Sequence, residues 1–260
     1  MTEDRIYMGD NGMQQGLDEW LVLDEQNMKF HMEQYRTPYR STIKFAEFLQ
    51  QKDIGGESCR ILDVGCGAGA VLGYMLDCDK RILWGYGVDI NKDLIKIGNK
   101  ILNERKIYNC ELIEGDFFQM DRNVFGKIDG VISLQTFNIL PDYRDIVRCI
   151  CELEPRWIAF SMLGFEGLID YNIKLFDYTK DKQDGYSEVF YNIYSLPIMK
   201  DFFHKMGYSK FDYMEFEMDI DLPRINKMGR GTYTIKTVQG KRMQISGGMM
   251  MPWYFVFVEK

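Results

Sequence analysis

Two histidines, no CxxC pair, no surplus of positive charge and no apolar run of membrane length set the first constraints on this 260-residue sequence. The six cysteines, Cys59, Cys66, Cys78, Cys110, Cys149 and Cys151, have only His31 and His204 to join them as soft ligands, which excludes an ordinary zinc centre. The longest mostly apolar stretch, WIAFSMLGF at 157–165, falls well short of the roughly 20 residues that cross a bilayer, so no membrane partner is expected. The opening MTEDRIYMGDNG carries acids where a secretory leader needs basic residues and an apolar run. A cytoplasmic setting with reduced thiols is the expectation. With 32 Lys and Arg against 39 Asp and Glu, the net charge of −7 argues against broad, sequence-independent attraction to nucleic acid. What the chain does have is length and apolar content, 46% hydrophobic, enough for one sizeable core without staples. It contains no repeat, low-complexity tract or linker, so a single domain over 1–260 is expected.

Between 60 and 163, short apolar runs alternate with helical patterns. RILDVG (60–65), WGYGVDI (84–90), CELIEGD (110–116), IDGVISL (128–134) and WIAFSML (157–163) fit strands buried on both faces. Between them, NKDLIKIGNKILNERK (91–106) reads as a helix capped by Asn91, with Leu94, Ile97 and Ile101 at helical spacing. YRDIVRCICELEP reads as another, with Ile146, Ile150 and Leu153 on one side. Such alternation predicts parallel strands with right-handed crossovers, an α/β doubly wound sheet. Residues 1–56 read as loop and helix, with Thr37 and Pro38 starting YRSTIKFAEFLQ. Residues 164–194 read as an aromatic, weakly periodic insertion. SLPIMKDFFHKMGY then reads as a helix, KFDYMEFEMDI and PWYFVFVEK as strands, and TYTIKTV and RMQIS as an extra hairpin across QGK.

The run ILDVGCGAG places Gly65, Gly67 and Gly69 directly after the first strand, where the backbone must bend tightly and approach a ligand over a helix N-terminus. This loop also satisfies the dinucleotide fingerprint, with Asp89 about 20 residues on as a ribose-binding acid. Asp63 separates the two cofactor classes. A carboxylate two residues before the first glycine repels the pyrophosphate of NAD, whereas a cofactor carrying an ammonium and a sulfonium gains from it.

On these residues the chain resembles the class I S-adenosylmethionine-dependent methyltransferases. DVGCGAG is similar to their first motif, GVDIN (87–91) to the second, EGDFF (114–118) to the third and DGVISLQ (129–135) to the fourth-strand motif. The resemblance implies a Rossmann-like seven-stranded sheet with an antiparallel C-terminal strand, an N-terminal helical cap over 1–56, a cofactor core over 57–163, and an acceptor-side insertion with an extra C-terminal hairpin over 164–260. It also implies S-adenosyl-L-methionine as cofactor, with Gly65, Gly67 and Gly69 along its methionine and ribose, and Asp63 near the amino group. Asp89 would take both ribose hydroxyls, and Ile90 would pack on adenine. Asp116 would accept from the exocyclic amine, the Phe117 backbone N–H would meet a ring nitrogen, and Ser133, Leu134 and Gln135 would lie beside methionine. Local caps are the alternative for Asp63 and Asp89, and core packing for Ile90.

Methyl transfer is an in-line displacement that needs positioning more than any universal catalytic group. If the acceptor is a hydroxyl, a base helps, and His31 in NMKFHMEQY is the candidate, since the resemblance brings the N-terminal segment over the site mouth. Packing is the alternative for His31, and a surface position for His204. Seven rings from Tyr171 to Tyr194 could form an aromatic lid or ordinary core. Arg224, Lys227, Arg230, Lys236, Lys241 and Arg242 stand in a stretch without an acid. They either attract an anionic acceptor or protect an exposed hairpin edge. The tail from Gly229 resembles methyltransferases of sugar and surface-polysaccharide pathways, which favours a small-molecule acceptor such as a sugar. A homodimer in which a second subunit's hairpin covers the site is compatible with the sequence. RNA or protein methylation is the rival, disfavoured because DGVISLQTFNILPD lacks an NPPY or DPPY signature and no basic module is appended. A non-catalytic cofactor-binding subunit is a second rival.

Overall fold

The computed structural model describes residues 25–56, 58–179, 185–225, 227–229, 231–246, 248–250 and 252–260. Arg230 and the first 24 residues, on which some of the expectations above rest, lie outside these.

Five strands follow the expected runs closely: β1 Cys59–Val64, β2 Ile82–Asp89, β3 Cys110–Glu114, β4 Gly130–Ser133 and β5 Trp157–Phe165. They pair in parallel in the order β3-β2-β1-β4-β5. Two antiparallel strands complete the row. β13 (Trp253–Glu259) lies between β5 and β9 (Lys210–Phe216). A short β8 (Tyr194–Ser195) pairs with the end of β5 off this row. The chain runs outward from β1 to β3 and returns to β4 on the other side of β1. That reversal opens a crevice at the carboxyl ends of the strands, the place where doubly wound sheets bind ligands.

The central strands of the sheet are buried on both faces. Along β13 the side chains alternate, Phe255 and Phe257 joining one core with Phe45, Leu49, Leu72 and Trp157, and Tyr254, Val256 and Val258 the other with Tyr143, Phe160 and Phe203. Helices α1 Glu25–Glu33, α2 Arg40–Gln50, α3 Ala70–Cys78, α4 Lys92–Glu104, α5 Tyr143–Cys151 and α6 Leu196–Lys205 accompany the sheet. The Asn91 side chain caps α4 by accepting from the Leu94 amide at 3.0 Å. The buried stripe of α4 is Leu94, Ile95, Gly98 and Leu102 rather than the expected Ile97 and Ile101. Gly98 sets this rotation, because a Cβ there would strike the Ala68 carbonyl of the glycine loop. α2 begins two residues later than the Thr37–Pro38 reading, at Arg40, with Tyr39 preceding it and no side-chain cap.

Two accessory sheets rise from the carboxyl-end side. The 164–194 insertion contains an unexpected hairpin, β6 (Lys174–Asp177) with β7 (Ser187–Phe190). The expected extra hairpin is present as β10 (Thr232–Lys236) and β11 (Arg242–Ser246), extended by β12 (Met249–Met250). It leaves the sheet after β9 and re-enters at Trp253, which faces Leu163 and Phe216. Among the described residues no helix is long and apolar enough to cross a membrane.

Candidate cofactor and active site

The loop after β1 holds Gly65 and Gly67 at φ +76° and +55°, a region where side chains are strained. The space beside both is also taken. A Cβ at Gly65 would run into the Thr136 side chain, and one at Gly67 would lie 3.2 Å from Nδ1 and Cε1 of His31. The amides of Gly65 and Cys66 donate to the Val88 carbonyl at 2.9 and 3.1 Å, hanging the loop on the end of β2. Gly69, at φ +80°, opens α3 without a side-chain cap.

Asp89 ends β2 and ties the next two segments together. Its Oδ2 accepts from the Gly67 amide at 2.8 Å and its Oδ1 from the Asn91 amide at 2.9 Å. Each oxygen retains a second lone pair for a ligand hydroxyl. Burial raises the Asp89 pKa, and the two backbone donors counter it. After β3, Asp116 accepts from the Phe118 amide at 2.9 Å through Oδ1.

Asp63 is the anomaly of the site. The carboxylate is 2% exposed and its Oδ2 has no hydrogen-bond partner. Burial, and secondarily the neighbouring Asp89, push its pKa up to about 8. A buried carboxylate left unpaired costs several kcal/mol unless a cation or donor meets it. The Cys66 thiol beside it is buried and held well above its ordinary pKa by the same desolvation, so it stays neutral and is no nucleophile.

A cleft of about 980 Å³, its open mouth included, lies over these loops. Gly65, Gly67, Asp89, Ile90, Asp116 and Phe117 line it, with Gln135 and His31 joining from the β4 end and from α1. Asp63, Gly69 and Ser133 are not among its lining residues. Ser133 is fully buried and its hydroxyl donates to the Val64 carbonyl at 2.7 Å, so it fastens β4 to β1. Gln135 takes a left-handed φ of +60° and its amide donates to the Ser161 hydroxyl at 2.8 Å, which leaves its side chain exposed at the cleft. Burial lowers the His31 pKa, so its imidazole is neutral at physiological pH. His204 is exposed on α6, away from the cleft.

Sequence reasoning misses Thr136, Ile139 and Leu140, which also line the cleft. They follow the β4 motif in and beside a one-turn 3₁₀ segment, Phe137–Ile139, with Thr136 and Leu140 flanking it, and no residue type marks them. For the aromatic insertion and the basic hairpin, the structure favours the packing and edge-protection alternatives. None of the rings from Tyr171 to Tyr194 lines the cleft. Tyr194 is core, while Phe176, Tyr178 and Tyr186 pack on one another on the β6–β7 hairpin. On the other hairpin, Lys241 pairs with Glu215 at 2.6 Å, and Lys236 and Arg242 with Asp221 at 2.8 and 2.7 Å. The guanidinium of Arg224 stands over the Tyr233 ring. No described residue of 224–242 lines the cleft. Acids from β9 and the segment after it thus pair with the hairpin's own three cations. Among the described residues no group of three or more His, Cys, Asp or Glu side chains could hold a metal ion.

Comparison with known proteins agrees with this geometry. A family model described as a methyltransferase domain matches residues 56–191, more than half of the chain. An uncharacterized protein of Rickettsia prowazekii, RP028, is 33% identical over 107 residues, 40% of this chain. The chain spans 42% of the length of that curated relative. Among solved structures, a chain of the complex between a Haloferax volcanii methyltransferase activator and a methyltransferase superposes with a TM-score of 0.56 at 15% identity, covering 94% of this chain and 95% of that one. Coclaurine N-methyltransferase bound to N-methylheliamine and SAH does so with a TM-score of 0.50 at 14% identity, covering 68% of this chain and 51% of that one.

Proposed function

Because the chain belongs to the methyltransferase-domain family and is a class I S-adenosylmethionine-dependent methyltransferase, we propose that its acceptor is a small polar molecule methylated on oxygen or nitrogen. The observation that carries the reading of the site is the unpartnered Asp63 carboxylate beside a glycine loop with no room for side chains. A dinucleotide pyrophosphate would add negative charge there, whereas the ammonium of S-adenosylmethionine supplies the missing counter-ion. The residues present therefore fit this cofactor.

When bound, S-adenosylmethionine supplies a methyl carbon made electrophilic by the adjoining sulfonium. Asp63 would hold its ammonium, and Asp89 its ribose hydroxyls through the free lone pairs of a carboxylate already fixed by Gly67 and Asn91. Ile90 and Phe117 would flank the adenine, with the second oxygen of Asp116 accepting from its amine. Gln135, presented by its left-handed backbone, would meet the acceptor or the methionine moiety from the β4 side. An acceptor seated in the cleft would have to give up a proton as it is methylated. The neutral His31 imidazole can take that proton. Holding the reactants in line supplies most of the acceleration, which agrees with the scarcity of titratable groups at the cleft other than carboxylates.

The acceptor reading draws support from the two accessory sheets at the carboxyl-end side and from the absence of an uncompensated basic face on the β10–β11 hairpin. It is tested by incubating the protein with methyl-tritiated S-adenosylmethionine and fractionated cell extract. Label in low-molecular-weight sugars, nucleotide sugars or other small polar metabolites is expected. Label confined to RNA or protein would refute the small-acceptor reading.

A further inference from the structure

The described N-terminal cap reaches the cofactor loop at two points, one turn apart. His31, near the end of α1, stands against Gly67. Just beyond that helix, Tyr35 is 7% exposed, and its hydroxyl donates to the Ala68 carbonyl at 2.5 Å. Ala68 belongs to the same loop, one residue past Gly67. Tyr35 is held from the other side as well. Its carbonyl accepts from Arg105 Nη1 at 3.1 Å, and the Arg105 guanidinium lies 5.8 Å from its ring centroid. The ring also packs where Gly73 of α3 leaves room, since a Cβ there would lie 3.3 Å from Tyr35 Cε1. Around Tyr35 the backbone closes in a tight turn off the end of α1, with the Arg36 and Thr37 amides both donating to the Glu33 carbonyl at 2.9 Å. The turn transmits the anchor at Tyr35 to α1.

A helix of a few turns is marginal in water by itself, so the described part of α1 takes its position from such contacts. From this geometry we propose that Tyr35 is a positioning residue that latches α1 onto the glycine loop and thereby holds His31 over Gly67, closing the cofactor side of the cleft. The proposal rests on the cofactor reading above. Tyr35 touches no part of the cleft itself. Its hydroxyl acts through the helix, and releasing it frees the cap to lift and the bound cofactor to leave.

The test uses the whole chain, with S-adenosylhomocysteine as probe. Tyr35→Phe keeps the ring in its packing and removes only the hydrogen bond. It should weaken S-adenosylhomocysteine by about three- to tenfold, mainly through faster dissociation. In a His31→Ala background the same change should cost less than about twofold, because the residue being held is gone. In the protein without ligand, amides of residues 28–33 should exchange with deuterium faster in Tyr35→Phe than in the wild type, while the sheet amides keep their protection. Affinity unchanged by Tyr35→Phe, or an equal loss in both backgrounds, would overturn the latch. Unchanged exchange at 28–33 would overturn it even if the wild type failed to bind S-adenosylhomocysteine, an outcome that would separately refute the cofactor reading.

Discussion

Replacing Asp63 by Asn should abolish a pH dependence of cofactor binding that the wild type shows between pH 6 and 8. Burial and the nearby Asp89 hold the Asp63 proton to about pH 8 in the empty protein. Binding an ammonium requires the ionised carboxylate, so association at lower pH must release that proton. At pH 7 this costs about 1.4 kcal/mol, one pKa unit, and at pH 6 about twice that. Affinity for S-adenosylhomocysteine should therefore rise by about fiftyfold from pH 6 to 8 and level off as Asp63 becomes ionised. Asp63→Asn retains shape and polarity but cannot ionise. Its affinity should be nearly flat over the same range, approaching that of the wild type at pH 6 and falling about ten- to a hundredfold short of it at pH 8. The linkage has a second consequence for the ligand-free protein. Its folded carboxyl keeps a proton that the unfolded chain loses near pH 4, so stability falls by up to about 1.4 kcal/mol per pH unit between about 4 and 8. Ligand-free Asp63→Asn should thus gain in melting temperature over the wild type as pH rises through that window. Calorimetric titrations at pH 6, 7 and 8, with melting curves in parallel, measure both. Wild-type affinity independent of pH, or Asp63→Asn binding as tightly as the wild type at pH 8, would refute the ion-pair reasoning.

Asp89→Ala should weaken S-adenosylhomocysteine by about 2–3 kcal/mol and also lower the melting temperature, because the same carboxylate ties Gly67 to Asn91; calorimetry and thermal scans separate the two losses. Gly67→Ala places a Cβ at φ +55° and 3.2 Å from His31, and should cost at least about tenfold in cofactor affinity while the far-ultraviolet circular dichroism stays that of the wild type. Lys241→Ala with Arg242→Ala should leave the S-adenosylhomocysteine dissociation constant within about twofold, since both side chains are committed to surface carboxylates.

Much of the cleft's lining is legible in the sequence because its signals are local. A glycine triplet after an apolar run, an acid at the end of the second run and an asparagine before a helical pattern each reflect a backbone requirement satisfied within a few residues. Asp89 shows the boundary of that legibility. Its place at the strand end can be read, but its bond to the Gly67 amide joins residues 22 apart and depends on the β1–β2 register. Ser133 marks the opposite limit, since a small polar residue at a strand end reads as a ligand contact, while in the fold its hydroxyl donates to the Val64 carbonyl. Counting charge along 224–242 leaves two readings open, because Glu215 and Asp221 lie outside that window and only the fold shows the hairpin turning its lysines and Arg242 back onto them. The β6–β7 hairpin escapes pattern reading because its residues alternate poorly. Gln135 gives no warning of its left-handed backbone, a conformation signalled by glycine or asparagine and imposed here by tertiary structure that includes the Ser161 hydroxyl.

The central claim is that the glycine loop and Asp63 form a seat for the ammonium and ribose of an S-adenosylmethionine-type cofactor and not for a dinucleotide. Isothermal titration of the whole chain at pH 8 with S-adenosylhomocysteine and, separately, with NAD tests it most directly. One site per chain with a dissociation constant on the order of micromolar for S-adenosylhomocysteine, and no heat with NAD, is the predicted result. Binding of NAD without binding of S-adenosylhomocysteine would contradict it.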